Sequence, residues 1–372
     1  MTTTLTGRDS VVVAPPADRA VGRPSAAGWA ARGAVGAALF GLVFLFPLTR
    51  SGVDVNIYTE AVIYAIIGLS LNVLLGYAGQ ISLGHQAFVG VGAFTSAYMV
   101  TVHEQNFVAA VGIAVAVGAA QALILGLVSL RVSGLYFALV SLAYGSMAEE
   151  WLFNISSLTG GGSGQPAPKP SAFATDHRYY YLCLAFLALV LFLDWRLTST
   201  KTGRALLALR SNPRVAESFG ASVKRYTLLA FVVSGAFASL AGALLAHNTT
   251  RVVSSQFQFQ LALLFVIMTV VGGLRSRVGV VVGSAFFSLA SYLFDHLHLA
   301  RAVGALPFLP NLSPDIAPLV LGPLLLLFTL TRHPGGMAEF LDPFQRWLLG
   351  ERAKPRRTVT IDLREPRGSN GA

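Results

Sequence analysis

The chain has 372 residues, 54% hydrophobic and only 12% charged, with a formal net charge of +10. Soluble domains carry roughly 25% charged residues, so a soluble multidomain protein is excluded, and long charge-free apolar blocks exclude fibrous and disordered classes. A single cysteine, Cys183, excludes an intrachain disulfide and a multi-thiolate metal site.

In chain order, residues 1–32 read as a disordered cytoplasmic tail carrying Pro15, Pro16 and Pro24. No small-x-small cleavage site follows Leu48, which argues against a secretory signal. Gaps between consecutive charged residues then predict spans near 33–49, 57–75, 81–102, 107–130, 134–152, 179–195, 226–246, 259–271, 279–294 and 316–331. The gap 61–103 is too long for one span: as a straight helix it would run about 65 Å against a hydrocarbon core of about 30 Å. The chain must turn back within it, and Gly76-Tyr77-Ala78-Gly79-Gln80 is the expected break. The eighth span is short, so whether it crosses fully stays open. The fold class expected is an all-α polytopic membrane protein of about ten transmembrane helices, some broken or re-entrant. Three regions follow: the tail 1–32, a transmembrane domain 33–331 with a cytoplasmic loop 196–225, and a cytoplasmic tail 332–372.

Ten spans place both termini on one side. That side collects 22 of the 27 Lys and Arg residues, and the other side has Arg50, Lys169, Arg178, Arg251 and Arg301. Such a split is what the positive-inside rule requires of a multi-pass protein with both ends in the cytoplasm. The excess charge then faces anionic lipid and cytoplasmic partners, with no need for nucleic acid.

Helices in lipid associate through small residues. Gly118, Ala122 and Gly126 form one such stripe, and Ser234, Ala238, Gly242 and Ala246 another. Pro318 and Pro323 predict a bend in the last span. Polar residues at membrane depth usually face the bundle interior. The densest group is Ser70, Asn72, Gln80, Ser82, His85 and Gln86, set among Gly68, Gly76, Gly79, Gly84, Gly90 and Gly92. Broken backbone at that depth survives only against protein or a water-filled cavity. Residues 70–92 are therefore expected to line a polar pathway, with interhelical hydrogen bonding as the plainer alternative. No second His or carboxylate stands beside His85 at metal spacing. Glu149 and Glu150 read as a solvated helix end rather than a proton site, and Asp194, beside Trp195 and Arg196, reads as interfacial.

Catalytic and phosphate-binding motifs are absent: there is no Gly-x-Ser-x-Gly, no His-Glu-x-x-His and no Gly-Lys-Ser/Thr. The chain is expected to be no enzyme and to carry no cofactor or metal, so any ATP must be hydrolysed by another chain. The loop 196–225 predicts two short helices. The first covers about 203–210. The second has Asn212 as N-cap, Pro213 at the first helical position and Gly220 past its end. Val215, Ala216 and Phe219 make its apolar face, and a helix this short needs something to dock against.

At these residues the sequence resembles the permease subunits of branched-chain amino-acid ABC importers, of the LivM type. The resemblance lies in Leu71 through Phe88, Gly90 through Phe94, Leu130 through Leu139, Leu158 through Gly161, the loop 203–220, Val271 through Leu274 and Pro334 through Met337. It implies a second permease subunit, two cytoplasmic ATP-binding subunits, an extracytoplasmic solute-binding protein and a bacterial inner-membrane location. Asn72, Gln80, Ser82 and His85, from their clustering in the Gly-broken stretch, are expected on the translocation path. Gly203, Arg204, Arg210, Arg214, Val215, Ala216, Phe219 and Gly220 would engage the ATPase. Branched-chain or other small neutral amino acids are the expected cargo. Urea or short amides remain open, as does an ion-coupled transporter, which would want ionisable residues near the midplane.

Overall fold

The computed structural model describes residues 4–5, 10–13, 41, 44–45, 52–132, 134–296, 336–339, 341 and 359–362. The chain divides into two compact units, Leu45–Leu341 and a smaller one built from both terminal segments. In the smaller unit β1 (Thr4–Leu5), β2 (Ser10–Val13) and the later Val359–Asp362 form a three-stranded antiparallel sheet with β2 central. Val11 and Val12 stand opposite Ile361 and Thr360. β-branched residues favour such pairing, even inside segments whose overall composition reads as tail.

The larger unit is helical. In it α1 (Gly52–Leu71) continues as a π-helical turn, Asn72–Tyr77, before the chain leaves helix. Then come α2 (His85–Thr101), α3 (Phe107–Ser129), α4 (Leu135–Glu150) and α5 (Asp176–Ser199). Two short helices follow, α6 (Lys201–Ser211) and α7 (Pro213–Ser218). The unit continues with α8 (Val223–Thr249), α9 (Phe259–Gly272) and α10 (Arg277–His296). A two-stranded ribbon pairs β3 (Gln165–Pro166) with β4 (Arg251–Val252). Four stretches, Asp54–Tyr77, Phe107–Ser129, Asp176–Ser199 and Val223–Thr249, are long and apolar enough to cross a membrane. The expected last span, 316–331, with Pro318 and Pro323, lies outside the described residues, as does most of the first, 33–49.

The break falls at the glycines. A π turn widens the helix at Asn72, whose side chain folds over Gly76; a Cβ there would collide with the Asn72 amide oxygen. Gly79 then takes φ +71, a left-handed conformation that turns the chain out of the helix. Residues 78–84 run without regular structure until α2 begins at His85.

α8 is the hub: it packs on α3, α2 and α1, while α1 also meets α5 and α10. The small-residue stripes explain the closeness. The Gly118/Ala122/Gly126 stripe of α3 meets Phe231, Gly235 and Ser239 of α8. The second stripe faces elsewhere: Gly242 lies against the Val89 carbonyl of α2, and the Ser234 hydroxyl donates to the Ser70 carbonyl of α1 at 2.8 Å. Between them the two faces pin α8 on three neighbours, as small-residue packing in lipid allows.

Candidate functional site

Three groupings of side chains stand out: one at the start of α2, and one at each end of the bundle. The start of α2 holds most of the polar cluster. His85, buried, meets the Ser70 hydroxyl through Nε2 at 2.6 Å. The turn 141–145 of α4 closes over it: the Leu83 amide donates to the Ser141 hydroxyl at 2.9 Å, and a Cβ at Gly84 would fall on the Ser141 carbonyl. A Cβ at Gly145 would meet both the Gln86 amide nitrogen and the Cα of Gly84, so the Gln86 side chain folds back toward the helix start. Four atoms here are buried without a hydrogen-bond partner: Ser82 Oγ, His85 Nδ1, Gln86 Oε1 and Gln86 Nε2. Buried polar groups are nearly always satisfied, so such a concentration at one helix start sets this place apart from the rest of the core. Gln80 is half-buried, its backbone N–H donating to the Leu74 carbonyl at 3.0 Å.

Asn72 belongs to a different grouping, at the basic end of the bundle. Its Nδ2 donates to the Tyr77 hydroxyl at 3.1 Å, and its Oδ1 accepts from the Arg275 backbone N–H at 2.8 Å. Tyr77 in turn donates to Asp194 Oδ2 at 3.0 Å, and Arg277 Nε meets the same oxygen at 2.6 Å. Arg277 also reaches the Thr198 hydroxyl. Asp194 is 0% exposed near the end of α5: a guanidinium from 83 positions away lets the carboxylate be buried. Sequence reading missed Asp194, Tyr77 and Arg277 as a group, since nothing local pairs α5 with the start of α10.

The α6–α7 hairpin sits at the same end. The Asn212 side chain accepts from the Arg214 and Val215 backbone N–H groups at 3.1 and 3.3 Å, and Gly220 takes φ +82 just past the helix. The sequence-predicted anchors part company. Ala216 is only 3% exposed, whereas Val215 is 50% and Phe219 86% exposed. Phe219 and Val215 border a groove of about 450 Å³ lined also by Arg204, Ala208 and Asn212. Arg204 and Arg214 are exposed, but Arg210 turns inward and donates to the Gly76 carbonyl at the break, its stem against Gly79. Burial, and then the nearby Arg275 charge, push the Arg210 pKa down. Gly203 is buried where a Cβ would strike the Thr198 backbone, so α6 lies close on the end of α5.

At the opposite end the segment 161–176 is tied down. Lys169 pairs with Asp176 at 2.5 Å and donates to Asn56 at 3.0 Å. His247 bridges the Ser96 hydroxyl and the Pro168 carbonyl at 3.0 and 2.7 Å. Glu149 and Glu150 end α4, their carbonyls accepting from the Asn154 side chain at 3.0 Å. Among the described residues no cluster of three His, Cys, Asp or Glu could hold a metal.

Apolar helices of spanning length define the class: a multi-pass helical membrane protein. Residues 53–329 match the model of the branched-chain amino acid transport system permease component family. The chain belongs to that family. It is 32% identical over 275 residues to the high-affinity branched-chain amino acid transport system permease protein LivM of Escherichia coli, covering 66% of this chain and 65% of that one. It is 31% identical to its counterpart in Salmonella typhimurium, covering 69% and 67%. A probable LivM of Methanocaldococcus jannaschii is 26% identical over 67% of this chain and 83% of its own. The chain thus spans about two thirds of the length of the first two relatives.

Proposed function

We propose that this protein is the membrane-embedded, non-catalytic permease subunit of an ATP-driven importer for branched-chain or other small neutral amino acids. Ten spans with both termini in the cytoplasm complete the topology, following the charge split. The solute route passes the start of α2. Ser82, His85 and Gln80 line it together with Gln86, and Asn72 supports it from the break. An uncharged lining of dipoles suits a zwitterion, whose charges need hydrogen bonds rather than counter-ions. Urea or a short amide is the second reading, favoured by the same uncharged lining.

The observation that carries the reading is the α6–α7 hairpin. A helix of six residues cannot stand alone in water, yet its Phe219 is 86% exposed beside an apolar groove. An ATP-binding subunit is the occupant proposed, with Phe219 and Val215 as anchors and Arg204 and Arg214 meeting acidic groups at the rim. Gly203 and Gly220 set the hairpin's shape, and Ala216 and Arg210 seat it on the membrane domain. A second permease subunit and an extracytoplasmic solute-binding protein complete the assembly.

The test is co-purification. The Phe219→Ala protein should lose its ATP-binding subunit and leucine uptake while remaining folded in the membrane. Retention of both at wild-type level refutes the docking role. Cysteine labelling in a Cys183→Ser background checks the topology: position 165 should react from outside and position 210 from inside.

A further inference from the structure

The side chains at the basic end form one connected path between the hairpin and the break. α6 enters it at two points, through Arg210 on the Gly76 carbonyl and through Gly203 against Thr198. From Thr198 the path runs to Arg277, on to Asp194, then through the Tyr77 hydroxyl to Asn72 and the Arg275 backbone. Three elements far apart in sequence, the end of α5, the π turn and the start of α10, thus share one buried carboxylate.

That carboxylate is used unevenly. Asp194 Oδ2 takes two donors, Tyr77 and Arg277, whereas Oδ1 is buried with none. Arg277 spends its second nitrogen on the Thr198 hydroxyl instead. A guanidinium and a carboxylate pair most strongly through two parallel bonds, and here the second is unmade. Two arrangements are geometrically open to the group, of which the structure holds the first. In one, the guanidinium bridges Asp194 and Thr198. In the other, it forks onto both oxygens of Asp194 and releases Thr198. Gly203 lies on Thr198, so a shift of α6 bears directly on which arrangement holds.

We propose that Asp194, Arg277, Thr198 and Tyr77 are positioning residues for transport. They form a two-position charged joint that passes movement of the α6–α7 hairpin to the break at 72–80. This rests on the transporter reading above. The joint touches neither solute nor ATP. Its role is to hold the π turn in register with the hairpin, so that hydrolysis in the partner and opening at the break occur together. Coupling of this kind needs an element with two arrangements that both sites bias, and the unevenly shared carboxylate supplies one.

The complex, reconstituted in proteoliposomes with its ATP-binding subunit and binding protein, tests this with radiolabelled leucine. The quantity read is leucine imported per ATP hydrolysed. In Asp194→Asn the ratio should fall about fivefold or more, the scale of ordinary allosteric coupling. Arg277→Lys keeps the charge but cannot fork, and its ratio should fall as well. Tyr77→Phe, which removes the hydroxyl between Asn72 and Asp194 but leaves the Arg277 ion pair, should lower the ratio less. A merely structural role predicts something else: import and hydrolysis fall together, in step with the amount of folded complex. An unchanged ratio in Arg277→Lys and Tyr77→Phe overturns the joint, whether or not Asp194→Asn assembles. A wild-type complex that hydrolyses ATP without importing leucine, another small neutral amino acid or urea overturns the transporter reading itself. A coupled wild type with coupled variants overturns only the joint.

Discussion

The two ends of the helical unit are held together in different ways. At the end bearing 161–176 the ties are largely to backbone: β3 pairs with β4, the Ala167 amide donates to the Thr250 carbonyl at 2.9 Å, and Arg251 donates to the Ser163 carbonyl at 2.6 Å. His247 adds the Pro168 carbonyl. At the basic end the ties run through a chain of side chains centred on one buried carboxylate, and an apolar helix face is left open to solvent. Backbone ladders resist sliding because each bond is set by its register. A side-chain network can exchange partners without unfolding anything. The first end is built as a strap and the second as a joint.

A break in the strap should give the largest effect. Gly164 has φ +70, and a Cβ there would run into the Val252 carbonyl of the facing strand. Gly164→Val adds the strain of a backbone region reserved for glycine, about 1–3 kcal/mol, to an overpacking cost of about 1–3 kcal/mol. The segment 161–170 should detach, read as much faster protease cleavage or thiol labelling in the loop. Unchanged protection would mean that the ribbon does not hold the strap.

At the basic end the matching experiment should leave stability alone. Phe219 is so exposed that Phe219→Ala costs the membrane domain little, yet it should weaken partner binding by about 2–4 kcal/mol, roughly 30-fold to nearly 1000-fold. Binding of the purified ATP-binding subunit measures the loss directly. A variant that unfolds in detergent would show that Phe219 serves the fold and blur the contrast between the ends.

Between the ends lie the unpaired atoms of Gln86. A buried amide with neither hydrogen bond carries a desolvation penalty of about 1–3 kcal/mol, so Gln86→Leu should raise the thermal midpoint in detergent. The same change should lower leucine uptake, because the polar atoms would be missing from the route. Higher stability with normal uptake would leave Gln86 outside the transport path.

Much of this architecture was legible in local chemistry. Asn212, Pro213 and Gly220 carry their helix signals within nine positions, and the structure has that helix with that cap. The break at Gly76–Gln80 was legible because a charge-free stretch too long for one span has to turn somewhere, and glycines permit it. The π turn was not, since it depends on Asn72 finding the Arg275 amide 203 positions away. The burial of Asp194 was not legible for the same reason. Beside Trp195 and Arg196 a carboxylate looks interfacial, and only the fold brings Arg277 to it. Arg210 shows the limit of reading a loop as uniform. Three arginines look alike in sequence, but one faces the glycine break while Arg204 and Arg214 face solvent.

The smallest effect is expected at Lys169, and it tests whether the two ion pairs differ in kind. Lys169 pairs with Asp176 and Asn56 and lies 5.4 Å from the centre of the Tyr179 ring. It is thus no less engaged than Arg277 at the other end. The partners it would leave behind differ, however. The Asp176 side chain is 31% exposed, so water can replace the lost ammonium, whereas Asp194 is 0% exposed and would be stranded. Surface pairs contribute about 0–1 kcal/mol, and removing one partner of a buried pair costs about 3–5 kcal/mol. Lys169→Met keeps the aliphatic stem against Tyr179, and the strand pairing, the His247 contact and the Arg251 contact all persist around it. Its thermal midpoint should therefore move little, and leucine imported per ATP should stay at the wild-type ratio. A ratio that falls as far as in Arg277→Lys would place a joint at both ends and end the distinction drawn between them.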